Sequence, residues 1–227
     1  EDTAQFIAGF SGSNAAVAQY LAEDVFAKQP ETIRRFLLDT CVLDGLSPAL
    51  CDALRDASDS AAVLSRLEEA NLFLIPLDGG SYRYHSLFAE FLRAQLARLD
   101  PARTAVLHQA AARWYLDEGR AIPALRHALA SQDRAVAVPL LLREAPGLME
   151  EGRFALLLDC FDALPASVLD EQPALRLLQL WAVTFTRGAT EAFRLLEPLE
   201  AAELGAIERG QLMVIRPLLL GMLDRID

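Results

Sequence analysis

The sequence holds a single lysine, Lys28, and only 21 basic residues against 32 acidic ones in 227 positions. The resulting net charge of −11 excludes general attraction to phosphate backbones or anionic lipid, so any nucleic-acid contact would have to be local. Lys28 stands in VFAKQP, outside any GxxxxGK[ST] phosphate loop, and no such loop occurs elsewhere, so this chain is not expected to hydrolyse ATP. Apolar runs are short. Arg176 interrupts PALRLLQLWAVTF, and no stretch reaches the roughly 20 residues that a membrane span needs. Cysteine is scarce too: Cys41, Cys51 and Cys160 form no CxxC pair and read as reduced, buried thiols of a cytoplasmic protein. His85, His108 and His127 lie at least 19 positions apart with no HExxH, which argues against a metal centre or a nucleophilic constellation.

What is present is enough apolar side chain, 53% of the sequence, for a substantial core. The opening EDTAQFIAGF reads as the interior of a longer protein. The helical period dominates from there. NAAVAQYLAEDVFAKQ spaces Val17, Leu21, Val25 and Phe26 along one face until Pro30 stops it. ETIRRFLLDT follows, then SPALCDALRD with Ser47 as cap and Pro48 at the first helical position, then DSAAVLSRLEEA starting near Asp59 as its cap. LFLIPL and SYRYH flank Asp78-Gly79-Gly80, whose residues tolerate positive φ, so 72–85 is expected to form a β-hairpin. Three helices followed by a two-stranded wing spell a winged helix.

Winged helices often read DNA, but this one is built wrongly for it. The helix at 60–70 that would enter the major groove offers Arg66 against Glu68 and Glu69. Residues 31–100 carry seven arginines against eleven acidic groups, a net of −4. Protein or nucleotide contact is the expected role.

Beyond residue 100 the texture becomes Ala- and Leu-rich helix. Glu118-Gly119-Arg120 recurs 33 positions later as Glu151-Gly152-Arg153, and Gly188 follows Gly152 by 36, close to the period of about 34 of tetratricopeptide helix pairs. Each glycine is expected to turn the chain inside a pair. Stacked pairs form a solenoid with an inner binding face, for which Trp114, Tyr115 and Trp181 are candidate residues, although aromatics at helical spacing more often pack in a core.

The order FLLDTCVLDGLSPALCDAL, NLFLIPLD, YRYHSLFAEFLRAQL, LHQAAARWYLDEG and ALRHALASQD resembles the central part of the MalT-like regulators, the large ATP-binding transcriptional activators of the LuxR type. The resemblance implies a mainly α chain in three parts. Residues 1–29 would end the helical part of a signal-transduction ATPase (STAND) module, 30–99 would be the winged helix, and 100–227 would begin a tetratricopeptide-like superhelix. It also implies ATP or ADP as cofactor of the parent protein and none in this chain. An unidentified inducer or protein effector would act on the superhelix, self-association of the parent is compatible with the class, and DNA would be touched only by a separate C-terminal domain. In related STAND proteins a histidine at the end of the winged-helix hairpin reaches the phosphates of bound ADP and holds the resting state. His85 matches that position, and an imidazole can donate a hydrogen bond to an anion. A structural histidine closing the hairpin is the other reading of the same residue. A stand-alone helical-repeat scaffold gripping a protein is the alternative for the chain as a whole.

Overall fold

The computed structural model describes residues 21–200 and 203–223. The first seven residues of the expected helix over 14–29 lie outside the described residues; within the rest, Leu21–Phe26 is π-helical. Two compact units meet in sequence between Gly119 and Arg120.

The first unit starts with α1, Glu31–Thr40, where Pro30 presets the backbone ahead of the first turn. Ile33, Phe36, Leu37 and Thr40 recur on one face and are buried, so this face becomes one wall of the core. Helix α2, Pro48–Arg55, begins as its sequence demands: the Ser47 hydroxyl accepts the Leu50 N–H at 3.3 Å and Pro48 occupies the first turn. Helix α3, Ser60–Glu69, is capped differently from expectation. The Asp59 carboxylate turns away to Arg55 at 2.7 Å, and the Ser60 N–H is satisfied instead by the Asp52 carboxylate of α2 at 3.0 Å. Arg55 itself lies over the Phe36 ring, 4.7 Å from its centroid, which draws the end of α2 and the Asp59 side chain toward α1.

Strands β1, Leu74–Leu77, and β2, Ser81–Tyr84, pair antiparallel in the register Leu74 with Tyr84 and Pro76 with Tyr82. Gly79 and Gly80 supply the turn with φ of 73° and 72°. Tyr82 directs both its backbone groups away from Pro76, to Leu46, at 2.7 and 2.8 Å. Pro76 thus costs the hairpin no ladder bond, and Leu46 adds a one-residue third edge. Helix α4, Ser86–Leu99, follows at once and buries Phe88, Phe91, Leu92 and Leu96. Asp100 breaks the run and caps α5, Pro101–Asp117, by accepting the Arg103 N–H at 2.9 Å. Helix α5 belongs to the same compact unit as the winged helix.

The second unit is helical throughout its described residues: α6 Ala121–Ala130, α7 Arg134–Glu150, α8 Phe154–Asp162, α9 Ala166–Glu171, α10 Pro173–Thr186, α11 Ala189–Glu200 and α12 Ala206–Met222. Gly152 sits between α7 and α8 and Gly188 between α10 and α11, with φ of 70° and 91°. Gly119, at 69°, occupies the matching place between α5 and α6. An added Cβ would meet nothing at any of the three, so the backbone conformation alone selects glycine there. Tyr115, Leu148 and Thr184, each four positions before its glycine, are all buried, which makes the repeat one of packing as well as of turns. No described helix is long and apolar enough to cross a membrane.

Candidate functional site

His85 stands where the hairpin passes into α4. Its N–H donates to the Phe73 carbonyl at 2.8 Å, and its own carbonyl accepts from Phe88 and Ala89 at 2.9 Å each. The backbone therefore closes the hairpin. The imidazole is exposed and makes no capping hydrogen bond. Phe73 holds a left-handed conformation, φ 54°, that is costly for an aromatic residue. Its ring is fixed against Phe88 with centroids 5.3 Å apart, and Phe88 stacks in turn on Phe91 and meets Tyr84 edge-on. An aromatic cluster centred on the fully buried Phe88 and Phe91 thus sets the direction of the chain on either side of His85.

The tyrosines decide which way β2 faces. Tyr84 is buried and shares a 2.7 Å hydrogen bond with Thr40 of α1. Burial pushes its phenol far above the ordinary range, so it stays a neutral structural group. Tyr82 donates to Glu68 of α3 at 2.9 Å. With both tyrosines turned onto the helices, strand alternation sends Arg83 and His85 to the opposite, exposed side. Helix α4 starts immediately beyond, and no side-chain cap covers its first-turn amides. The exposed imidazole and the Ser86 and Leu87 amides at the start of the helix together can bind an anion.

Trp114 and Tyr115 belong to α5 in the first unit and Trp181 to α10 in the second. Tyr115 is a core residue, 6% exposed, with Trp114 packed edge-on against it at 5.1 Å. Trp181 lies in the second unit within a ladder that the sequence only partly shows: it stacks on Phe185 at 6.1 Å, and Phe185 stacks on Phe154 at 4.9 Å. Phe185 is 53% exposed, which makes this ladder an open aromatic surface. Phe154 was hidden because it comes from α8, and only the fold brings it to α10. His108 is packed in α5, where burial first and the Arg93 charge second push its pKa below the ordinary value. His127 is buried in α6. Among the described residues no group of three His, Cys, Asp or Glu side chains could hold a metal ion.

Residues 22–104 match the family model described as the MalT winged helix domain. The HTH-type transcriptional regulator MalT of Yersinia pestis is 32% identical over 204 residues, 89% of this chain and 22% of that protein. The chain belongs to the MalT-like family. Serine/threonine-protein kinase PknK of Mycobacterium tuberculosis is similarly close, 31% identical over 203 residues, 88% of this chain and 18% of that protein. The chain spans about a fifth of the length of these curated relatives. The MalT winged-helix match takes in the whole of β1, β2 and α4 and both residues on the exposed side of the hairpin, Arg83 and His85.

Proposed function

We propose that the chain is the regulatory and signal-sensing portion of an ATP-dependent, LuxR-type transcriptional regulator, coupling nucleotide state and inducer or effector binding to activation. The observation that carries this reading is His85: its backbone is locked by Phe73 and α4 while its ring is left exposed beside uncapped helix amides. That arrangement suits an imidazole reaching a phosphate held by a neighbouring nucleotide module. ATP or ADP would belong to that module, and this chain would take no chemical step. The second unit would carry the inducer or effector surface, with the ladder of Trp181, Phe185 and Phe154 as its candidate contact. One relative is named as a regulator and another as a kinase, yet both share this stretch, which supports an input role for it over an output one. A transcriptional regulator of this kind would work in the cytoplasm.

In the full-length regulator, His85→Ala should raise reporter transcription in the absence of inducer while protein abundance stays unchanged. Wild-type inducer dependence in that variant would contradict the reading.

A further inference from the structure

Arg83 is two residues before His85, and the hairpin places both side chains on the side facing away from α1 and α3, because Tyr82 and Tyr84 are committed to Glu68 and Thr40. At about 3.3 Å of rise per residue the two Cα atoms are roughly 6.6 Å apart, close enough for a guanidinium and an imidazole to reach the same tetrahedral anion. Arg83 has no ion pair among the described residues, although the chain carries a net charge of −11. Many other arginines are occupied: Arg55 by Asp59, Arg93 by Asp44, Arg103 by Asp39, and Arg187 by Asp162 and Glu191. Glu68 of α3 is taken up by Tyr82 on the other side of the strand. An exposed, unpaired guanidinium next to an exposed imidazole and the start of a 14-residue helix forms a local positive spot on an acidic surface.

We propose that Arg83 is a second phosphate-binding residue, gripping together with His85 the terminal phosphate of the bound nucleoside diphosphate. This rests on the reading of His85 given above and adds to it a permanent charge. A guanidinium stays protonated at every relevant pH and offers paired N–H donors that match two phosphate oxygens, whereas an imidazole reaches an anion through a single N–H. Arg83 would supply the permanently charged part of the grip and His85 a further hydrogen bond.

The test is nucleotide release from the full-length regulator, compared for wild type, Arg83→Gln, Arg83→Lys, His85→Ala and the double variant, with melting temperature measured on each. Arg83→Gln is expected to speed ADP release about tenfold, as loss of one charge-assisted contact implies, with an unchanged melting temperature because the side chain is exposed. Arg83→Lys should restore only part of the slow release, and the two single effects should be non-additive if one phosphate is shared. If Arg83→Gln releases ADP at the wild-type rate while His85→Ala releases it faster, Arg83 is not a contact and the inference is overturned. If both variants release ADP at the wild-type rate, the reading of His85 fails and takes the inference with it.

Discussion

Asp39 and Arg103, 64 residues apart in sequence, meet in a bidentate ion pair with both N–O distances at 3.0 Å. The Asp39 side chain is 8% exposed and that of Arg103 is 30% exposed, so the pair fastens the buried face of α1 to the start of α5 at the edge of the core. Among the described residues the other cation within ion-pair distance of the carboxylate is Arg35, at 3.9 Å. Arg103→Ala should therefore leave a largely buried carboxylate poorly compensated and cost about 2 kcal/mol, below the 3–5 typical of a fully buried pair because Arg103 is partly in water. Urea unfolding checks this. A midpoint within error of wild type at unchanged m would show that the pair contributes little.

His108 gives the first unit a pH dependence whose sign is fixed by its environment. Burial, reinforced by the Arg93 charge and opposed by Asp44, lowers its folded pKa below the ordinary 6.5. The unfolded chain then binds more protons in the interval between the two values, so stability declines as pH falls through about 6.5 and keeps declining until the folded value is passed. Above 6.5 the residue contributes no slope. Replacing it, as in His108→Gln, should flatten the loss of stability between pH 7 and 5. An identical pH profile in the variant would assign that loss to other groups.

The thiols should be inert in the native protein. Burial pushes Cys41 and Cys51 up to about 12 and Cys160 to about 11, and all three side chains are buried and unpaired. A thiol-specific reagent at pH 8 should label none of them on the timescale of minutes and all three after denaturation. Fast labelling of one thiol under native conditions would reveal local opening of the helix that carries it.

The winged helix should bind neither duplex DNA nor free ATP tightly, given α3 with Arg66 set against Glu68 and Glu69 and the absence of a phosphate loop. Saturable sub-micromolar binding of either by the chain at physiological salt would contradict the assignment of both activities to other parts of the regulator.

Much of the fold was legible because its signals are local. Ser47-Pro48 announces α2, Asp78-Gly79-Gly80 announces the hairpin, and the spacing of Gly119, Gly152 and Gly188 announces helix turns that require positive φ. The Asp59 cap was misread since Arg55 competes for its carboxylate, and that competition depends on where α2 ends in space. At the site, His85 was conspicuous as a titratable ring at a change of period. Arg83 could have been found by the same alternation that buries Tyr84, but which side of a two-stranded wing faces solvent depends on Thr40 and Glu68, which lie 44 and 14 residues from their tyrosines. Tyr115 was a candidate for the binding face or for the core, and its burial places it in the core.

The central claim is that His85 holds the resting state by touching nucleotide, and the rate of ADP release from the full-length regulator tests it most directly. One hydrogen bond to a charged group is worth about 1.5–3 kcal/mol, so His85→Ala should speed release by about tenfold to a hundredfold while melting temperature barely moves, since the backbone and not the ring closes the hairpin. A wild-type rate of ADP release together with a lowered melting temperature would contradict the account and return His85 to a purely structural role.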